Sequence, residues 1–402
     1  MKKYITIISV IVFIGMLALP TVVWSVVMSV SPETIAAWDY DLGEKRDKAE
    51  LPGDLVEAGN FSAVENYYND RVPFRSILIS IDRWINSRTE AIYRKKWAPT
   101  LAAWFYKDKS YLPPIIAGDV VLLGRDNWLY YLGDDSLSYY RGTNLLSEEK
   151  LQEYLELTVR LKELCEERGI RLQFMIIPNK EQVYPEYMPS YTFASEEKRV
   201  PLLVEYLRKN ADVNIIYPLE ELQAAKQNWQ VYYRYDTHWN SMGALIGTQA
   251  LLQALGMEKA DPADLAVEEY VMSGEDLLPL GGLDAEQYPK DVRYAVTYKP
   301  QVRIIEKEGG DGASLSDILY STSDSENQCN MVMLFDSFRF EMEPYLQKEF
   351  SNCVITQWGE DAYRVRDFVS EADVLVIAAV ERYDYKIFDT IEILIEILDS
   401  SP

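Results

Sequence analysis

Met331-Val332-Met333-Leu334-Phe335-Asp336-Ser337-Phe338 is a short apolar run that ends in an acid and a serine. It reads as a β-strand with Ser337 at its tip, where a nucleophile would stand. The pattern repeats on either side. Downstream, Val354 to Gln357 and Val374 to Ala379 are short apolar strands separated by helical stretches. Upstream, Ser147 caps a helix that runs to Arg168 and stops at Gly169, a residue suited to the turn after a helix. Arg171 to Ile177 is a strand ended by Pro178, Ser195 to Lys209 reads as a helix, and Val213 to Tyr217 as a strand. Ser241 to Leu255 is a helix capped by Asn240 or Ser241. This β–α–β alternation predicts an α/β domain, with a parallel sheet and helices on both faces.

Two stretches depart from the alternation. Val120 to Tyr131 reads as a hairpin, two apolar runs around a polar turn. Residues 257–330 break the βα order; Tyr294 to Glu308 alternates as a strand does and Gly309-Gly310-Asp311-Gly312 is a loop. We take 257–330 as an antiparallel insertion, equally suited to substrate binding or to a structural role.

Lys2 and Lys3 precede an uncharged, mostly apolar run from Tyr4 to Val30. Its length exceeds the roughly 20 residues that cross a bilayer. It is long for a cleaved signal and has no clear A-x-A site. We expect a signal anchor over residues 1–31, with the positive end cytoplasmic and everything after it outside the cytoplasmic membrane. A helical, membrane-proximal region is expected over 32–115 and the catalytic domain over 116–402. The net charge of −24 repels nucleic acid. The 48% hydrophobic content is that of a globular chain. Cys165, Cys329 and Cys353 make no disulfide framework. Cys165 falls in a helical pattern as a buried apolar residue. Cys329 and Cys353 each precede a strand, an arrangement that would permit a bond if those strands are parallel neighbours.

The chemistry centres on Tyr235-Asp236-Thr237-His238-Trp239-Asn240, which holds the one histidine of the 402-residue chain. At i, i+2 spacing in an extended segment, Asp236 and His238 leave the same face. A carboxylate there holds the imidazole in one tautomer and stabilises its charged form. Serine needs a base, and only one imidazole is available. An Asp236–His238–Ser337 triad is therefore expected, with backbone N–H groups of a helix starting near Phe338 as oxyanion donors. Against it stand a histidine that merely satisfies a helix-entry loop and a serine that merely caps a helix. Asp-x-His also ligates divalent ions, but such hydrolase sites use several histidines, so no metal is expected. No phosphate-binding glycine loop is present.

Four segments together resemble the SGNH-hydrolase-like alginate O-acetyltransferase family of the AlgX/AlgJ type. They are Gly124-Arg125-Asp126-Asn127-Trp128-Leu129-Tyr130-Tyr131, Ile177-Pro178-Asn179-Lys180-Glu181-Gln182-Val183-Tyr184-Pro185-Glu186, Tyr235 to Ala244, and Leu334-Phe335-Asp336-Ser337-Phe338. The resemblance covers roughly residues 60–390 and implies an SGNH-hydrolase-like, flavodoxin-like fold. It carries the triad onto Asp236, His238 and Ser337. It implies O-acetylation of an exported polysaccharide through an acetyl-serine, with the acetyl group supplied by a multi-span membrane O-acyltransferase and no cofactor. The chain departs from the family at Phe335, where glycine is usual. That departure favours the alternative of a non-catalytic glycan-binding or assembly subunit; an acetylesterase is a further alternative. Four more residues carry two readings each. Lys180 either faces the cleft or forms a structural salt bridge, and Arg339 either contacts an anionic sugar or oxyanion or lies in solvent. Tyr235 and Trp239 either line a sugar subsite or belong to the core.

Overall fold

The computed structural model describes residues 116–117 and 120–400, apart from 190–191, 193, 261–264, 274–275, 311–313 and 315. The signal anchor expected over 1–31 and the helical region expected over 32–115 lie outside the described residues. Among the described residues no helix is long and apolar enough to cross a membrane.

In chain order the strands are β1 (Ile116–Ala117), β2 (Val121–Leu123), β3 (Leu129–Tyr131), β4 (Arg171–Ile177), β5 (Ile215–Ile216), β6 (Leu265–Met272), β7 (Asp291–Tyr298), β8 (Ile304–Glu308), β9 (Leu319–Ser323), β10 (Asn330–Leu334), β11 (Asn352–Thr356) and β12 (Val374–Val380). The main sheet has the order β5-β4-β12-β10-β11-β9-β8. The first five of these run parallel, and β9 and β8 add an antiparallel edge. The sheet is thus mixed. The antiparallel insertion expected over 257–330 supplies this edge, and also a separate antiparallel ribbon, β6–β7. The hairpin expected over 120–131 is β2–β3, joined by β1.

Helices cover both faces, as the alternation predicts. Met175 and Ile177 of β4 and Met331 and Met333 of β10 pack toward Leu245 and Leu251 of α3 (Ser241–Ala254) and Met342 and Leu346 of α4 (Arg339–Glu349). The intervening Phe174, Ile176, Val332 and Leu334 face Leu161 of α1 (Glu148–Glu167), Leu203 of α2 (Arg199–Ala211) and Ile391 of α5 (Asp384–Ser400). Period-two alternation thus feeds two apolar layers from one strand, which is why these runs read as uninterrupted hydrophobic segments. Ser147 caps α1 by accepting from Lys150 N, and Asn240 caps α3 by accepting from Met242 N and Gly243 N. α2 begins at Arg199 rather than Ser195; Pro201 then falls in its first turn, where a missing N–H costs no helical bond.

The structure corrects the disulfide. Register pairs Asn330 with Asn352 and Met331 with Cys353, so Cys329 stands two residues upstream of the position opposite Cys353. That offset is about 6.6 Å along the strand and about 4.8 Å across, a diagonal beyond disulfide reach. All three cysteines are free thiols.

Candidate active site

Ser337 sits in the turn between β10 and α4. Phe335 N continues the sheet by donating to Thr356 O at 2.9 Å. Asp336 then ties the turn to the neighbouring strand. Its Oδ1 accepts from Phe338 N at 3.0 Å and its Oδ2 from Val380 N, at the end of β12, at 2.7 Å. Arg339 N donates to Asp336 O and Phe340 N to Ser337 O. The N–H groups at the start of the helix, expected as oxyanion donors, are therefore spent inside the turn. Among the described residues the N–H of Ser337 itself has no acceptor.

The histidine arrives on a tight loop. Tyr232 and Trp239 pair across it, Tyr233 N donates to His238 O, and Asn240 N donates to Val231 O. Asp236 Oδ1 accepts from His238 N at 2.9 Å and lies 2.6 Å from Nδ1; Nε2 lies 2.7 Å from Ser337 Oγ. An ionised carboxylate only accepts, so Nδ1 carries the proton and bare Nε2 accepts from the serine hydroxyl. Thr237 Oγ1 is 3.1 Å from Nδ1 and gives its own proton to Asp276 Oδ2 at 2.9 Å. The three residues singled out from sequence thus meet, and the histidine and aspartate side chains keep 25% and 18% of their surface exposed.

Electrostatics match this geometry. Burial alone would push the imidazole pKa down, but the bond and charge of Asp236, with Asp276 nearby, raise it above the ordinary histidine value. Burial would raise Asp236, yet its bonds to His238, the imidazolium charge and the Lys180 ammonium hold it at about 2. The pair is poised for an ionised carboxylate beside an imidazole that takes up a proton readily.

The remaining residues proposed from sequence lie elsewhere. Arg339 is wholly buried, with Nη1 and Nη2 donating to Ile355 O and Asp317 O and Nε 3.4 Å from Glu343. It braces the sheet edge and reaches neither solvent nor a sugar. Trp239 is wholly buried; its Nε1 donates to Phe338 O at 2.9 Å, and its ring meets those of Phe335 and Phe338. Gly247 of α3 makes room for it, since a Cβ there would stand 2.6 Å from the indole. Tyr235, 1% exposed, packs edge-on against Tyr288. Both aromatics are core, not subsite. Lys180, 3% exposed, lies beneath the histidine loop rather than in the cleft. Phe335 points with Met331 and Met333 into the α3–α4 layer, toward Trp239. Its bulk fills the core and leaves the serine turn undisturbed.

Asp276 escaped the sequence reading. It comes from the insertion, and both its oxygens accept from Thr237, from the backbone N–H and from the hydroxyl. Nothing local in the sequence marks it, because its partner is 39 residues away. The insertion also walls a cavity of about 520 Å³ bounded by Asp236, Asp276, Leu278, Pro279, Leu283, Ala285 and Arg293. Asp236, His238 and Asp276 present ligand atoms within 4.8 Å of one another. Both ring nitrogens of His238 are nevertheless engaged by protein groups and both oxygens of Asp276 by Thr237, so this donor set is committed to the loop.

Residues 121–315 match the family described as SGNH hydrolase-like domain, acetyltransferase AlgX. That span takes in Asp236 and His238 and stops short of Ser337. The chain is 31% identical over 210 residues to the probable alginate O-acetylase AlgJ of Pseudomonas syringae pv. tomato, covering 51% of each chain. It is 29% identical over 205 residues to the protein of the same name from Pseudomonas putida, covering 48% of this chain and 50% of that one. It thus spans about half the length of these curated relatives. Among solved structures, Bacillus cereus PatB1 shares the fold at a TM-score of 0.50 and 16% identity, covering 68% of this chain and 100% of that one. These matches bear out the resemblance carried by the four sequence segments: residues 121–315, a little under half of the chain, match an SGNH-hydrolase-like domain of the AlgX type, and the curated relatives are of the AlgJ type.

Proposed function

We propose that this protein O-acetylates an exported polysaccharide through an acetyl-serine on Ser337. The observation that carries the reading is the unbroken relay from Asp236 to His238 to Ser337, at 2.6 and 2.7 Å. Ser337 Oγ attacks the acetyl carbonyl as its proton passes to His238 Nε2. The Ser337 N–H is the backbone donor placed for the developing oxyanion. The leaving oxygen of the donor takes the proton back from Nε2, which leaves acetyl-serine. A sugar hydroxyl then attacks, gives its proton to Nε2, and releases Ser337 Oγ, which recovers that proton. Asp236 holds the imidazole in the required tautomer throughout. Family likeness supports an acetyl donor of the multi-span membrane O-acyltransferase type, and the apolar run from Tyr4 to Val30 supports anchoring with the domain outside the cytoplasmic membrane.

A second reading is acetyl-ester hydrolysis. The partial exposure of His238 favours it, because water reaches the imidazole. The full chain in detergent is tested first on a small chromogenic acetyl ester and then with polysaccharide acceptors. Turnover lost in both Ser337→Ala and His238→Ala, together with an acetylated acceptor, upholds the transferase. Free acetate without acetylated acceptor favours the esterase. Equal inertness of wild type and both variants, with glycan binding retained, makes the protein a binding or assembly subunit instead.

A further inference from the structure

The loop from Tyr233 to His238 is irregular, so its peptide groups find no partners in a sheet or helix and must be satisfied individually. Remote segments do this. Leu129 N donates to Arg234 O and Leu277 N to Tyr235 O, while Asp291 accepts from Arg234 N. Two charged side chains carry the part of the loop that bears Asp236 and His238. Lys180, in the first turn after β4, points its ammonium at three carbonyls: Tyr233 O at 3.1 Å, Arg234 O at 3.3 Å and Asp236 O at 2.7 Å. Three N–H donors thus meet three acceptors. From the insertion, Asp276 receives both donors of Thr237, the N–H at 3.0 Å and the hydroxyl at 2.9 Å. Thr237 lies between the two triad members, and its hydroxyl, turned toward Asp276, presents its oxygen to Nδ1.

We propose that Lys180 and Asp276 are positioning residues that clamp the Asp236–His238 loop from below and from the side, so that both ring nitrogens of His238 stay in line with their partners. Neither touches the reacting atoms; Lys180 acts through the carbonyls of Tyr233, Arg234 and Asp236, and Asp276 through the N–H and hydroxyl of Thr237. The proposal rests on the reading of Asp236, His238 and Ser337 as the reacting trio and assigns that trio its scaffold. Burial pulls the Lys180 pKa to about 8, against the raising effect of Asp276, Asp236, Asp291 and Glu181, so the ammonium keeps its three donors at neutral pH. Misplacing a catalytic group by about 1 Å costs on the order of 100-fold in rate, which sets the effect to look for.

The single histidine makes the test direct. Histidine-specific 15N labelling of the full chain gives one imidazole, whose downfield Nδ1–H resonance reports its bond to Asp236 with no substrate present. Lys180→Met and Asp276→Ala should shift or broaden that resonance and lower kcat on the chromogenic ester by roughly 10- to 100-fold, with KM within about twofold. Thr237→Val, which removes only the hydroxyl arm and leaves Asp276 its bond from the Thr237 N–H, should give a smaller shift in the same direction. It keeps the proposal testable should the charge variants not fold. Wild-type resonance position in these variants overturns the proposal, whether or not kcat falls. A wild type that shows the resonance yet turns over no ester would refute the acetyl-transfer reading and leave the clamp standing.

Discussion

The serine and the histidine are held in place by opposite means. Ser337 rides on regular structure: a buried strand, a tight turn and a helix, with the Asp336 side chain tying the turn across to β12. The histidine loop has almost no regular structure, and Leu129, Lys180, Asp276, Leu277 and Asp291 reach it from three separate parts of the chain. The proposed nucleophile needs only to be placed, which the end of a parallel strand does with backbone bonds and the two local bonds of Asp336. An imidazole must also be rotated and kept in one tautomer, and that takes fixed polar partners around it.

The largest effect expected is on the chemistry where the two regions meet. Ser337→Ala and His238→Ala should each lower ester turnover by at least about 10⁴-fold, and Asp236→Asn by about 10³- to 10⁴-fold through the wrong tautomer. Thermal unfolding should move little in the serine variant. Steady-state kinetics beside a melting curve checks this.

Arg339 separates structure from binding within the serine half. Arg339→Met should cost about 2–4 kcal/mol of stability, because it leaves Glu343 buried without its cation and two carbonyls without donors. The loss is at the lower end because burial already raises Glu343 to about 7, so the carboxyl can take up a proton instead. KM should not change, since the side chain is sealed away from any substrate. A raised KM with unchanged stability would restore the sugar-contact reading.

The pH profile sharpens the contrast more gently. As the proposed base His238 works only when neutral, and its pKa in the substrate-free protein stands above the ordinary imidazole value, so the acid limb of kcat/KM should have its midpoint above about 6.5. In Asp236→Asn the carboxylate that raises it is gone, and that limb should move to lower pH. On the alkaline side, Lys180 loses its proton as pH rises through about 8 and its grip on the loop weakens, so activity should fall there. That alkaline limb should vanish in Lys180→Met.

The smallest effect concerns the cysteines. Alkylation of the denatured chain without reductant should modify all three, and omitting reductant should leave activity unchanged.

Much of the α/β layout was legible because buried strands announce themselves: Arg171 to Ile177, Val332 to Phe335 and Val374 to Ala379 fall within a residue or two of β4, β10 and β12. The proposed reacting groups were legible for a different reason, as a lone histidine two residues from an aspartate and a serine at a strand tip leave few combinations. The sequence misled where an outcome depended on direction rather than type. Arg339 and Trp239 carry the chemistry of sugar-binding residues, yet the turn after Ser337 and the packing of α3 direct both into the core. Phe335 looked like an obstacle at the site, and strand alternation carries its side chain, with those of Met331 and Met333, into the core layer where it meets Trp239.

What the amino-acid order settled by itself was local: apolar runs fix strands, caps and glycines fix helix ends, and i, i+2 spacing brings Asp236 to His238. What only tertiary structure decided were the long-range pairings: β8 and β9 closing the sheet edge, Lys180 and Asp276 converging on one loop, and Cys329 missing Cys353 by two residues of register. The physical reason is that backbone propensity and side-chain periodicity act over a few residues, whereas a buried charge finds its partner only after strands far apart in sequence have taken neighbouring places in the sheet.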